Sequence, residues 1–268
     1  AAYASFVSML VAALAMTGWL LNSLQRGYVS LQRVWQVIAL QTDRPQGDRP
    51  LRAATGGAKV SVAGLTYHYE GAAASLRDVS FEVDEGQMVG VYGPVGSGKS
   101  TLVSLLSGLL PAPRGAVRID GVDLRDIETR SLRRAVAVVP QESFLFSRSL
   151  RDNIGYVDAV PDIDDARVID AAERAALNED IARLDDGLET VVGERGLMLS
   201  GGQRQRAQIA RALYAGARLL ILDDVLSAVD HDTEERLLSA LRAEISGVSG
   251  RGKGCSAIVV SSRLSALA

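Results

Sequence analysis

The 268 residues suffice for one large domain or two small ones, and with 47% apolar residues they can bury a sizeable core. A formal net charge of −3 lacks the basic surplus of a nucleic-acid binder, and the bias of 26 Arg to 3 Lys reads first as genome composition. The single cysteine, Cys255, cannot close an internal disulfide, which suits a reducing compartment.

Residues 1–25 hold no charge. As a helix they extend roughly 37 Å, enough to cross a ~30 Å hydrocarbon core. The bland alternatives are a buried helix of a soluble protein and a signal peptide. A signal peptide needs a basic start and a small-residue cleavage site, whereas this run starts apolar and continues into Arg26 and Arg33. A membrane span is therefore expected, with the two arginines placing the downstream chain on the cytosolic side. Ser5, Ser8, Thr17, Asn22 and Ser23 suggest a face turned toward other helices or a cavity. One span transports nothing alone, and the chain begins without Met inside this run, so a longer parent is expected. Residues 42–57, with prolines, glycines and mixed charges, read as a linker.

The second domain is expected over 58–268. Residues 59–62 and 79–83 alternate as short strands. Residues 88–92 form a buried strand, and 99–109 form the helix after it. Further β-type runs lie at 136–139, 219–222 and 257–261, with helical patterns between. Strands alternating with helices imply a mostly parallel α/β sheet.

Gly93-Pro94-Val95-Gly96-Ser97-Gly98-Lys99-Ser100 fits the phosphate-loop pattern G-x-x-x-x-G-K-[ST], followed by Thr101. Its glycines let backbone N–H groups turn toward phosphate oxygens, and the following helix offers its positive end to the same anion. Lys99 places a charge against the β- and γ-phosphates of ATP, and Ser100 a hydroxyl on Mg2+. Leu219-Leu220-Ile221-Leu222-Asp223-Asp224 is an aliphatic strand ending in two acids. It delivers a carboxylate to the sheet edge where open α/β sheets bind ligands. Asp223 is expected to hold Mg2+ through a water; the bland reading is a buried strand followed by a solvated acidic turn. Leu199-Ser200-Gly201-Gly202-Gln203 opens a helical run over 204–214 and forms a second anion-binding turn. One nucleotide does not need two such turns unless two chains share their nucleotides.

With Ser227-Ala228-Val229-Asp230 downstream, these motifs stand in the order found in ATP-binding-cassette (ABC) transporters, which the chain resembles from about Val60 to Leu267. The resemblance implies a P-loop NTPase fold: a mostly parallel central sheet, an antiparallel β subdomain and a helical subdomain. The run 1–41 resembles the last transmembrane helix of an exporter and its cytosolic extension. The resemblance also implies residue roles. Tyr69 would stack on adenine. Gln141 would sense Mg2+ and couple to the membrane part. Ser200, Gly201 and Gly202 would contact the γ-phosphate held by an opposing cassette, with Gln203 counted among the nucleotide-binding residues. Asp230 would belong to a loop crossing the dimer interface. Thr190-Val191-Val192-Gly193-Glu194-Arg195-Gly196 resembles an exporter-specific loop.

Two departures stand out. Asp224 occupies the place of the glutamate that polarises the attacking water, one methylene shorter. Ser262, in Ser261-Ser262-Arg263-Leu264-Ser265, occupies the place of the switch histidine. A reach shortened by roughly 1 Å can cost about 10²-fold in rate, and serine is a poor carrier of positive charge near neutral pH. Asp224, Gln141 and Ser262 are thus the candidate catalytic residues of a slow ATP site. An intact signature would complete a faster site on a partner carrying Glu and His. The resemblance thus implies an asymmetric heterodimeric membrane exporter with membrane lipid around it, a transported small molecule and no nucleic-acid partner. The rivals are a regulatory cassette that only locks ATP, and a soluble ABC-type ATPase. His68 and His231 are read as surface or loop residues, and the Gly-rich stretch 246–254 as a solvated loop.

Overall fold

The structure is a computed structural model and describes residues 2–39, 47–51, 56–71, 73–157, 162–193, 199–225, 231–245 and 254–262. The chain divides into two units, Ala1–Asp43 and Arg44–Ala268.

The first unit is one helix, α1 (Ala2–Ile38), long and apolar enough to cross a membrane. Its described side chains are exposed throughout. The Ser8 hydroxyl donates to Ser5 O at 2.9 Å and the Thr17 hydroxyl to Ala13 O at 2.8 Å. These two groups are satisfied by their own helix and require no neighbouring helix to pair them.

The second unit contains two four-stranded sheets. β1 (Val60–His68) and β2 (Ala74–Val83) pair antiparallel and run well beyond the short strands expected from alternation. The cause is a change of phase. Val60 and Val62 point into the core, but the register shifts after Val62 and the inward residue becomes Leu65. Gly64 at φ +57° faces Asp78 at φ +49° across this irregularity. A β-bulge of this kind inverts the period-two pattern without ending the strand.

β3 (Met88–Tyr92) leads to α2 (Lys99–Leu106). The helix stops before the expected 109 because Gly108 turns left-handed at φ +71°. β4 (Val117–Ile119) and β5 (Val122–Asp123) complete the antiparallel sheet, in the order β2-β1-β4-β5. Next come α3 (Thr129–Ala135) and β6 (Val136–Val139), then a helical layer of α4 (Leu150–Ile154), α5 (Asp165–Arg174), α6 (Asn178–Ile181) and α7 (Gly201–Ala215). β7 (Leu219–Asp223), α8 (His231–Ile245) and β8 (Ser256–Ser261) close the described chain. The second sheet is parallel, in the order β3-β8-β7-β6. The fold expected from the sequence, a parallel sheet with an antiparallel subdomain and a helical one, is the fold observed.

β7 and β8 are buried along their whole length. Leu219 and Ile221 join the core shared with the antiparallel sheet and α2, while Leu220 and Leu222 join the core shared with α5 and α7. A strand covered on both faces reads as an unbroken aliphatic run.

Within the stretch read as a linker, residues 47–51 pack on this second unit. Arg49 donates its N–H to Asp126 O at 3.0 Å and accepts at its carbonyl from Glu128 N at 2.8 Å. Leu51 is buried. Of the Gly-rich stretch 246–254 only Gly254 is described, and a Cβ there would overlap the Ile245 carbonyl.

Candidate functional site

Parallel pairing brings the C-terminal ends of all four strands to one edge. Tyr92 stands opposite Ser261, Val260 opposite Asp223, and Leu222 opposite Val139. The residues at and just beyond those ends are therefore neighbours: the phosphate loop after β3, Ser262 after β8, Asp223 at the end of β7 with Asp224 after it, and Gln141 after β6. A cavity of about 330 Å3 opens among them, lined by Ser75, Val95, Gly96, Gly98, Lys99, Ser100, Thr101, Gln141, Asp223, Asp224 and Ser262.

The loop is shaped by backbone that only glycine adopts cheaply. Gly96 and Gly98 have φ of +83° and +91°. A Cβ on Gly98 would also overlap Ser75 O and lie 2.8 Å from Leu76 Cδ2. Pro94 O accepts from Ser97 N at 3.2 Å, which closes the turn. Lys99 Nζ bends back and donates to Gly93 O at 2.6 Å and Pro94 O at 2.8 Å. Gly93 is buried at the root of the loop and Val95 stands exposed at its tip. The Tyr69 hydroxyl lies 3.4 Å from Thr101 Oγ1, and its ring meets Tyr67 edge-on at 5.3 Å. Tyr69 thus stands, 45% exposed, beside the first turn of α2, where a planar ring can stack on it.

Asp223 is buried. Burial foremost, and the neighbouring Asp224 carboxylate, push its pKa above the usual carboxylate value, against the pull of Lys99 and a hydrogen bond from Ser100. Asp223 and Ser100 together offer a carboxylate and a hydroxyl, the hard oxygen donors that Mg2+ prefers. A cation held between these two oxygens would favour the ionised carboxylate that burial disfavours.

Asp224 adopts φ +50°, a left-handed conformation that aspartate tolerates better than most residues. Its N–H donates to Val260 O at 2.8 Å. Its carboxylate accepts from Ser262 Oγ, at 3.2 Å to Oδ2 and 3.4 Å to Oδ1, and from Ser262 N at 3.4 Å. Asp224 and Ser262, the two residues that stood out in the sequence, thus touch each other.

The Ser-Gly-Gly-Gln turn is not among the residues lining this cavity. Ser200 caps α7 with a full capping box. Gln203 N donates to Ser200 Oγ at 3.2 Å, and Ser200 N donates to Gln203 Oε1 at 2.8 Å. Gln203 Nε2 also reaches Asp180 Oδ1 at 3.1 Å, and Arg206 grips Asp180 Oδ2 at 2.6 and 3.1 Å. A Cβ on Gly201 would meet nothing within 4 Å. Asp230, residues 194–196 and residues 263–265 lie outside the described residues. His68 is exposed at the end of β1, and His231 opens α8. Sequence reading passed over Ser75, Asp180 and Arg206, which stand in no motif; only contacts between distant segments reveal them.

The comparisons agree with this geometry. The family model described as "ABC transporter" matches residues 76–227. The multidrug resistance-like ATP-binding protein MdlA of Escherichia coli is 37% identical over 262 residues, covering 98% of this chain and 43% of that protein. An ATP-dependent lipid A-core flippase of Saccharophagus degradans is 39% identical over 222 residues, covering 82% of this chain and 37% of the flippase. The chain thus spans less than half the length of these relatives. A bacterial Atm1-family ABC exporter solved with ATP bound superposes with a TM-score of 0.84 at 33% identity, over 98% of this chain and 45% of that one. On its motifs, its fold and these matches, the chain belongs to the ABC transporter family.

Proposed function

We propose that this chain is the ATP-binding part of a membrane exporter, with the cassette over 58–268 on the cytoplasmic side and 1–41 ending the membrane domain. The observation that carries the reading is the gathering of Lys99, Ser100, Gln141 and Asp223 around one cavity at the edge of the parallel sheet. In this reading residues 93–101 hold the phosphates and Tyr69 the base. Ser100, Gln141 and Asp223 hold Mg2+, which when bound screens phosphate charge. Phosphoryl transfer to water depends on positioning and electrostatics.

The site is slow. Asp224 has a short reach, and its carboxylate is engaged by Ser262, which supplies a neutral hydroxyl where the family places an imidazole. The capped turn at Ser200–Gln203 stands apart from this cavity and serves the nucleotide of a second cassette, whose site holds Glu and His. Asp230 belongs to the loop between the two. The assembly is an asymmetric heterodimer. The relatives' names span multidrug and lipid substrates, and the cargo falls in that range. The rival reading, a cassette that locks ATP without splitting it, draws on the same Asp224–Ser262 contact. The double substitution Asp224→Glu, Ser262→His separates them in the full transporter. A rise in ATPase rate supports a slow site that chemistry limits, and an unaltered rate supports the regulatory cassette. Failure of the wild-type transporter to bind ATP, read by a nucleotide-dependent shift in Tm, overturns both.

A further inference from the structure

α7 is pinned to the segment after Gln141. Gln208, buried on α7 two turns beyond Ser200, donates from Nε2 to Phe144 O at 3.0 Å. One turn on, Arg211 donates to Asn153 O at 2.7 Å, to Asn153 Oδ1 at 2.9 Å and to Phe144 O at 3.3 Å. Asn153 closes the same loop on itself. Its Nδ2 donates to Phe146 O at 2.9 Å and Ser149 O at 3.0 Å, and its Oδ1 accepts from Phe146 N at 2.8 Å. No carboxylate lies within ion-pair distance of Arg211 among the described residues, so its guanidinium is spent on carbonyls and on the faces of Phe146 and Tyr156.

Gln208 is odd as a core residue. Its Oε1 is buried with no hydrogen-bond partner. A half-satisfied buried amide costs desolvation that an apolar side chain of equal length avoids. Stability alone therefore favours methionine at this place, and what the amide adds is the link to Phe144.

We propose that Gln208 is a positioning residue. It fixes the carbonyl of Phe144, three residues beyond Gln141, to the helix whose N-terminus carries Ser200–Gln203, so that engagement of Gln141 at this chain's own ATP site sets the placement of the turn offered to the second cassette. The inference rests on the function proposed above. α7 is a continuous helix from Gly201 to Ala215, and its first two turns are locked to α6 through Asp180. A displacement of Phe144 is thus carried along a rigid rod rather than absorbed within it.

The test is Gln208→Met in the full two-cassette transporter. The expected result is a Tm equal to or above wild type, an unchanged KM for ATP, and a kcat lower by about 3- to 10-fold, the range of one net hydrogen bond. A kcat equal to wild type overturns the proposal. So does a fall in kcat with a matching loss of Tm or a raised KM, because Gln208 is then only a packing residue. Absence of ATP binding by the wild-type transporter sinks the underlying reading, and is visible before any variant is made.

Discussion

Ser262 donates its hydroxyl to the carboxylate of Asp224 across the ends of two adjacent parallel strands, at 3.2 Å. Because the two groups are in contact, their substitutions are expected to be non-additive. Asp224→Glu alone extends the carboxylate while leaving a serine beside it, and is expected to raise the ATPase rate of the transporter only modestly. Adding Ser262→His is expected to bring the gain at this chain's own site toward about 10²-fold, read with the second cassette's site inactivated so that its faster turnover does not mask the change. A double-mutant cycle on steady-state ATPase measures the coupling. Strict additivity of the two changes would show that the contact has no functional weight.

The glycines of the two Gly-rich turns, Gly98 and Gly201, are expected to respond differently to alanine. Gly98 has φ +91° and no room for a Cβ beneath Ser75 O. Gly98→Ala should destabilise the chain by about 1–2 kcal/mol from the backbone alone, before the overlap is counted. Gly201 faces open space. Gly201→Ala should leave Tm unchanged or slightly raised, since alanine is the better helix former by up to about 1 kcal/mol. Yet it should depress the ATPase of the two-cassette transporter. Thermal melts with paired ATPase assays decide it, and a large loss of Tm in Gly201→Ala contradicts the reading that its space is reserved for another chain.

Asp223 gives a pH dependence whose sign comes from its raised pKa. Its protonated form favours the folded chain. That contribution is present below the unfolded-state pKa and is lost as pH rises through the folded-state pKa. Mg2+ requires the ionised form, so the affinity for Mg2+ with ATP should fall on acidification, starting at a higher pH than for an ordinary carboxylate. Asp223→Asn should stabilise the nucleotide-free chain near neutral pH while removing Mg2+-dependent binding. Titration of Mg2+ at several pH values tests this, and a flat affinity profile through the acid range would count against it.

Cys255 is buried, and burial above all pushes its thiol up to about 11. The thiolate is the reactive form. Labelling by a maleimide at neutral pH should therefore be slow in the folded chain and become fast on unfolding. Above pH 9 the unfolded thiol ionises first, so the stabilisation from a neutral Cys255 is lost as pH rises toward 11. Rapid labelling of folded protein at neutral pH would refute the buried placement.

Most of the site was legible because its chemistry is written contiguously. The loop residues 93–100 are adjacent in the chain, and the aliphatic run ending at Asp223 reveals a strand covered on both faces. The bulge at Gly64 hid the length of β1, since a phase change in alternation looks like a strand end. The contact between Asp224 and Ser262 was not legible. It depends on β7 and β8 being neighbours in the sheet, which only long-range pairing fixes. The anchors Asp180 and Arg206 were missed for the same reason. Each is a lone charge in a polar stretch until the fold places them together.

β7 contributes Leu219 and Ile221 to one core and Leu220 and Leu222 to the other. Neither layer can therefore lose its packing while the strand stays put, and the two should melt as one calorimetric unit rather than as separate modules. The same arrangement separates scaffold from chemistry along a single strand. Four residues fixed by two cores hold the strand in place, and the position immediately after Asp223 lies beyond both. Exchanging Asp224 for glutamate is therefore expected to leave the folding of the cassette intact, so the chemistry at this strand end can change without disturbing the scaffold that holds it.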